Sequence, residues 1–165
     1  MSYARQGAVA TRNLSRVEIQ EEGATMGLGS LNYLAVMAAA VASFVFGGIW
    51  YNVFSRQWLE AVGMSPERMQ ERGGVGLYVL ALVAQLVMAW MLAGILLHLA
   101  RGGLPATLWN GVVSGAFIWL GFVITTMVVN YAFHGARHAL TLIDGGHWLG
   151  VLLIQGAILG WWGLR

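Results

Sequence analysis

The chain has 165 residues, of which 58% are hydrophobic and only 10% are charged, whereas a typical soluble domain is about 25% charged. Its nine basic residues are all arginines scattered along the sequence, so it lacks the basic stripe of a nucleic-acid-binding protein, and no nucleic-acid partner is expected. Cysteine is absent, which excludes disulfides and thiolate metal sites.

Long stretches without charge divide the sequence, and each is long enough for a membrane span of about 20 apolar residues. A soluble protein is disfavoured because helices that are apolar all round would leave almost no polar face for water. The short connections predict an all-α membrane protein, a left-handed, up-down bundle of four transmembrane helices. Within a domain at 31–165, the spans are predicted at about 31–54, 74–100, 106–133 and 139–162.

Residues 1–30 form a polar segment in which three arginines are offset by three glutamates. This tail is predicted to be disordered or, at most, to form a short surface helix. It is not expected to be a secretory signal, because the apolar run that follows is long enough to span. Met26 is an alternative start. Counted from there, the arginines favour a cytoplasmic connection between spans 1 and 2, whereas counted from Met1 they show no bias.

Small residues recur every four positions in the first span and predict a face for close helix packing. They are Ala39, Ser43 and Gly47. The polar connection at 55–73 also contains several apolar residues, so it is expected to lie on the membrane surface. Its Ser-Pro-Glu sequence at 65–67 is typical of a helix start, with a capping serine, a proline at the first position and an acid in the first turn.

Polar residues also lie inside the predicted spans. Gln85 and Gln155 fall near mid-membrane, and the third span carries Asn110, Ser114, Thr125 and Thr126. Interhelical hydrogen bonds of about 0.6 kcal/mol each are the favoured interpretation. The alternative is a polar path for a substrate, which the lack of an obvious span broken by glycine or proline weakens. The short turn at 101–105 predicts that spans 2 and 3 are antiparallel neighbours.

Glycines at intervals of four allow two helix backbones to approach closely. In the third and fourth spans they are Gly111, Gly115, Gly146, Gly150, Gly156 and Gly160. The fourth span therefore carries two such pairs, more than a four-helix bundle needs, and this favours contact with another membrane protein.

Because the spans alternate in direction, the ends of spans 1 and 3 lie on the same side of the membrane as the starts of spans 2 and 4. Aromatic and polar residues collect there as a shared-side cluster: Trp50, Tyr51, Asn52, Trp58, Asn130, Tyr131, His134, His138, Asp144 and His147. The favoured interpretation places them at headgroup level, where side chains with one apolar and one polar end are common. The alternative is a metal or proton site at His134, His138, Asp144 and His147.

Asp144 is the only aspartate of the chain and lies about two turns into the fourth span. A carboxylate costs about 2.5–3.5 kcal/mol at the bilayer centre, so it should face the bundle or water. Two interpretations stay open. One is a proton or ligand site with Arg137 and His147 as partners, and the other is a cap at the start of the fourth helix.

Several motifs resemble those of a known family. They are Gly48-Ile49-Trp50-Tyr51, Phe54 with Trp58, Gly63-Met64-Ser65-Pro66-Glu67, and the segments 117–122, 142–147 and 156–160. Over about 31–162 the chain resembles the bacterial integral membrane family catalogued as domain of unknown function 1761. The resemblance implies a four-span membrane protein and no particular activity. Asp144 departs from the family pattern, in which we expect an asparagine.

Three functions follow as hypotheses. The favoured one is a non-enzymatic structural or accessory subunit that packs against other membrane proteins or a second copy of itself, multi-pass in a bacterial inner (cytoplasmic) membrane. The first alternative is a small-solute or lipid transporter or binding protein that uses the shared-side cluster. The second is a membrane metalloenzyme. No cofactor is predicted, and the lipid bilayer is the expected surrounding partner.

Overall fold

The computed structural model describes residues 31–163, so the predicted tail at 1–30 lies outside the described residues. This part of the chain is helical and contains no strand. Its helices, in chain order, are α1 (Tyr33–Val53), α2 (Ser55–Val62), α3 (Pro66–Arg72), α4 (Val75–Arg101), α5 (Leu108–Phe133) and α6 (His138–Trp162).

Four of these helices, α1, α4, α5 and α6, are long and apolar enough to cross a membrane. Their ends lie no more than two residues from the predicted span boundaries. Polar caps fix two of the starts, since the Asn32 side chain accepts from the Ala35 N–H at 3.0 Å and the Thr107 hydroxyl accepts from the Asn110 N–H at 3.2 Å. The predicted fold class is confirmed, and the chain is a multi-pass membrane protein.

The connection between α1 and α4 forms the two short helices α2 and α3. The predicted cap of α3 is confirmed, because the Ser65 hydroxyl accepts from the Arg68 N–H at 3.4 Å and proline occupies the first helical position. On α2, Trp58 turns toward the bundle, whereas Arg56 pairs with Glu60 at 3.1 Å on the exposed side. This split between an inner aromatic and an outer ion pair makes α2 amphipathic.

Helix α6 is the centre of the arrangement. It packs along α1 on one side and along the first part of α5 on another, while α1 also packs against α4. Spans 2 and 3, predicted to be antiparallel neighbours, do contact each other as α4 and α5, but only slightly. A short turn makes two successive helices antiparallel, but it does not determine which helices pack most closely. The main packing partner of α5 is α6.

Glycines make the close contacts of α6 possible. A Cβ atom on Gly156 would overlap the backbone of Gly111, and one on Gly160 would overlap the backbone at the start of α5. Gly146 and Gly150 leave room in the same way for aromatic rings of α1. Both small-residue pairs of α6 therefore contact helices of the same chain, and neither pair is left over for another protein.

The bundle divides near mid-membrane into two halves with different packing. In the closed half the side chains of Leu92, Leu96 and Leu159 are each 1% exposed. In the open half the segments 75–84 and 119–133 contain no buried residue. The closed half comprises 33–43, 85–101, 108–118 and 151–162, and the open half comprises 44–53, 75–84, 119–133 and 138–150.

A polar network closes the inner edge of the closed half. The Ser43 hydroxyl donates to Gln85 Oε1 at 2.8 Å, and Gln155 Nε2 donates to the Ser43 hydroxyl at 3.0 Å and to Gln85 Oε1 at 3.0 Å. The three residues belong to α1, α4 and α6, so the network joins three spans where a hydrogen bond has no competing water. The interhelical interpretation therefore holds for both glutamines.

The polar residues of α5 behave differently. The Thr125 and Thr126 hydroxyls donate to the carbonyl oxygens of Gly121 and Phe122, four residues earlier in the same helix. The Asn110 side chain donates to the Pro105 carbonyl oxygen at 2.8 Å, just before the helix begins. The predicted interhelical bonds are wrong for these three residues, because each finds a carbonyl acceptor within its own segment.

Candidate functional site

Asp144 is the best-connected side chain of the open half. It lies on α6, is 7% exposed, and accepts hydrogen bonds from the Tyr51 hydroxyl at 2.9 Å, the Trp58 indole N–H at 3.0 Å and the Tyr131 hydroxyl at 2.8 Å. Because α6 begins at His138 with Arg137 at its N-cap, the interpretation of Asp144 as a helix cap is wrong. The carboxylate instead binds α1, α2 and α5 to α6.

The expected cationic partner of Asp144 lies elsewhere. Arg137 donates to the carbonyl oxygen of Glu60 at 2.9 Å, on the exposed side. Among the side chains that the structure describes, the ion pair is that of Arg56 with Glu60, so no arginine neutralises Asp144. The carboxylate is therefore held by three uncharged donors alone, and an indole N–H such as that of Trp58 can only donate.

Two further tryptophans bind the backbone on either side of Asp144. The Trp50 indole N–H donates to the Ile143 carbonyl oxygen at 3.1 Å, and that of Trp119 donates to the Gly145 carbonyl oxygen at 2.8 Å. A buried indole N–H needs an acceptor, and inside a membrane a helix carbonyl is one of the few available. Five aromatic residues thus surround one turn of α6: Trp50, Tyr51, Trp58, Trp119 and Tyr131.

Small residues after Asp144 let these rings come close. A Cβ atom on Gly145 would lie 2.7 Å from Ile124 Cδ1, and one on Gly146 would lie 2.9 Å from a ring atom of Trp50. These distances are shorter than van der Waals contact, so a larger residue would displace the Ile124 side chain at position 145 and the Trp50 ring at position 146. Gly146 thus makes room for the Trp50 ring beside the turn that carries Asp144.

Helix α5 reaches the site through a π turn at Trp119–Val123. There the Ile124 N–H bonds to the Trp119 carbonyl oxygen, five residues earlier, where an α-helix would bond four residues earlier. The π turn places Trp119 and Tyr131 of one helix on the same turn of α6. Neither this turn nor the role of Trp119 was predicted from the sequence. The role of Trp119 could have been inferred because an indole N–H near the middle of a span requires a hydrogen-bond acceptor.

His147 lies one turn after Asp144 and is 5% exposed. Its ring stacks on Phe46 with centroids 6.2 Å apart and contacts the Tyr51 ring at 4.7 Å. Its Nδ1 atom is buried and has no hydrogen-bond partner among the described residues. On the other side of the ring, a Cβ atom on Gly47 would lie 2.8 Å from Nε2, so the glycine makes room for the imidazole.

Two adjoining cavities lie between α1 and α4, and together we call them the cleft. The inner cavity has a volume of about 780 Å³ and reaches Gly48, Gln85 and His147. The outer cavity, of about 380 Å³, extends to Trp58 and to α3. Tyr51, Ser55, Leu77, Tyr78 and Ala81 line both cavities. The cleft exists because 75–84 stands away from the rest of the bundle.

The other members of the shared-side cluster form no described hydrogen bond to Asp144, although Asn52 lines the inner cavity of the cleft. Asn52, Asn130, His134 and His138 are all exposed. Among the residues at 31–163, no three histidine or acidic side chains come together in a way that could hold a metal ion. The proposed set of His134, His138, Asp144 and His147 is therefore not assembled, and the metalloenzyme hypothesis lacks its ligands.

A model of the family described as "Protein of unknown function (DUF1761)" matches residues 34–160, and the chain belongs to this family. No curated protein and no solved structure matches the chain. The family match covers all four spans together with α2 and α3, and so includes every residue that contacts Asp144.

Proposed function

We propose that this member of the DUF1761 family is a non-enzymatic binding or transport protein for a small solute or lipid in a bacterial inner membrane. The observation that carries the proposal is the cleft between α1 and α4. Its inner volume, about 780 Å³, falls within the range of about 300–1,000 Å³ that is common for ligand pockets. The proposed occupant is a molecule that is largely apolar with a small polar end.

The chemistry of the walls supports an amphipathic ligand. Leu77 and Leu80 present apolar side chains, whereas the buried polar residues Gln85 and His147 lie at the inner end. In a ligand pocket that is mostly apolar, a few polar groups fix the orientation of the ligand. The exposed residues at the rim would let such a molecule enter from the lipid.

An accessory subunit is the weaker proposal. It rested on a surplus of small-residue pairs, and both pairs of α6 contact α1 or α5 of the same chain. Ligand binding needs no such surplus and uses the part of the bundle that is least packed.

Native mass spectrometry of the protein in mild detergent tests the proposal. We expect wild-type protein to carry a bound molecule of defined mass. Ala81→Trp should remove most of that adduct, because Ala81 lines both cavities and a tryptophan would fill them. Ala132→Trp is the matched control, since Ala132 is equally exposed but lies on α5 outside the cleft. An adduct that survives Ala81→Trp as well as it survives Ala132→Trp would contradict the proposal.

A further inference from the structure

Asp144 accepts from an indole N–H, which can only donate, and from two phenol hydroxyls, so both of its carboxyl oxygens are engaged. No cationic side chain described by the structure pairs with it. A carboxylate two turns inside a span is destabilised by the surrounding hydrocarbon, and neutral donors offset only part of that. A bound cation would therefore stabilise the ionised form of this carboxylate.

Aromatic rings form the wall between Asp144 and the cleft. Tyr51 and Trp58 donate to the same carboxylate oxygen and also line the outer cavity. Their rings meet edge to face, with centroids 6.1 Å apart and planes at 81°. Tyr78 adds a third ring from α4. Aromatic faces attract cations, and a ring whose N–H or O–H bonds to an anion holds more electron density on its face.

We infer that the cleft binds a lipophilic ammonium ion, one positive nitrogen on an apolar body, with Tyr51, Trp58 and Tyr78 around the nitrogen and Asp144 behind them as the countercharge. The inference rests on the proposed function and names the chemical class of its ligand. Cation, aromatic rings and carboxylate would form one stack, and each interaction strengthens because water is excluded.

A free ammonium ion fits better than the headgroup of a zwitterionic phospholipid. Asp144 follows the first residue of α6 by six positions, which is about 9 Å along the helix and deeper than headgroups lie. A phospholipid also brings a phosphate, and no described arginine lies against this wall to receive it. A carboxyl group without a cationic side chain beside it matches a ligand with positive charge alone.

The test uses two ligands of equal shape. One is 4-phenylbutyl-trimethylammonium, and the other is its neutral isostere, in which carbon replaces nitrogen. Affinities are measured by calorimetry on intact protein in an uncharged detergent. We expect wild-type protein to bind the cation about tenfold more tightly than the isostere. Asp144→Asn should remove that preference and leave the isostere's affinity unchanged.

A second variant keeps the test decisive even if Asp144→Asn does not fold. Tyr78 is 68% exposed and its replacement leaves the core intact. Tyr78→Leu should lower the affinity for the cation more than the affinity for the isostere, because only the cation is attracted to the face of the ring. Phe133→Leu is the control, since Phe133 is 89% exposed and lies outside the cleft. A cation preference that persists in Tyr78→Leu would overturn the aromatic part of the inference.

The remaining outcomes separate this inference from the proposed function. Equal affinity for both ligands in wild-type protein, with both lost in Ala81→Trp, would overturn the inference and leave the binding function standing. A bound phospholipid that excludes the ammonium ion would do the same. Absence of any endogenous or added ligand in wild-type protein would overturn both.

Discussion

The closed and open halves of the bundle consist of the same four helices, yet they are held together by different means. In the closed half, glycines bring the backbones of α5 and α6 into contact and leucines fill the core. In the open half, 75–84 and 119–133 contain no buried residue, and side-chain hydrogen bonds to one turn of α6 hold α1, α2 and α5 against it. Close backbone packing leaves no room for a ligand, whereas long aromatic donors keep helices connected at a distance.

Backbone packing should therefore contribute more to the stability of the bundle than the hydrogen bonds of the open half. Three substitutions test this expectation, and their expected effects decrease in order.

The largest effect is expected for Gly156→Ala in the closed half. Its methyl group would overlap the Gly111 backbone, which cannot move aside as a flexible side chain can. We expect a loss of about 3 kcal/mol in the free energy of unfolding. Gly48→Ala is the control, since a Cβ there meets open space in the open half. Thermal unfolding in detergent compares the two, and equal melting temperatures would show that the halves do not differ as described.

A smaller effect is expected for Tyr131→Phe in the open half. The substitution removes one of three hydrogen bonds to Asp144 and keeps the ring. A hydrogen bond to a charged group contributes about 1.5 kcal/mol or more, so stability should fall by about that amount. Tyr78→Phe should change nothing, because its hydroxyl bonds to no described residue. If both variants unfold alike, the donors around Asp144 do not hold this half together.

The smallest effect is expected for Ser43→Ala, at the edge between the halves. It removes the hydroxyl that joins Gln85 to Gln155. Hydrogen bonds between membrane helices average about 0.6 kcal/mol, because the unfolded helices find other partners in the membrane. The matched control is Ser114→Ala, at a half-buried serine without a described side-chain hydrogen bond. A loss as large as that of Gly156→Ala would place the main stabilising contact here and not at the glycines.

The spans could be predicted from the sequence because a membrane span requires a long stretch without charged residues, and such stretches are visible in the sequence. The separation of 75–84 from the bundle could not be predicted. Lipid tails are as apolar as leucine, so a helix face toward lipid and a face toward protein have the same composition. Hydrophobicity therefore predicts that α4 crosses the membrane but not where it leaves its neighbours.

The candidate site was predicted in part. Asp144 was selected because it is the only aspartate, and Tyr51, Trp58 and Tyr131 because they share its side of the membrane. The arginine partner was wrong, because a guanidinium near the surface finds water and carbonyl oxygens more readily than a buried carboxylate. Which donors bond to the carboxylate instead depends on the direction in which each helix presents its side chains, and residue types alone do not determine that direction.

The π turn of α5 sets the direction of the part of the helix that follows it. A π turn holds one residue more than an α-turn would, so the same residues wound as a plain α-helix would rotate everything after them by about 100° around the helix axis. Tyr131 would then point away from Asp144 although no residue of the contact had changed. By absorbing one extra residue, the π turn keeps a phenol that lies eight positions after it directed at the carboxylate on α6.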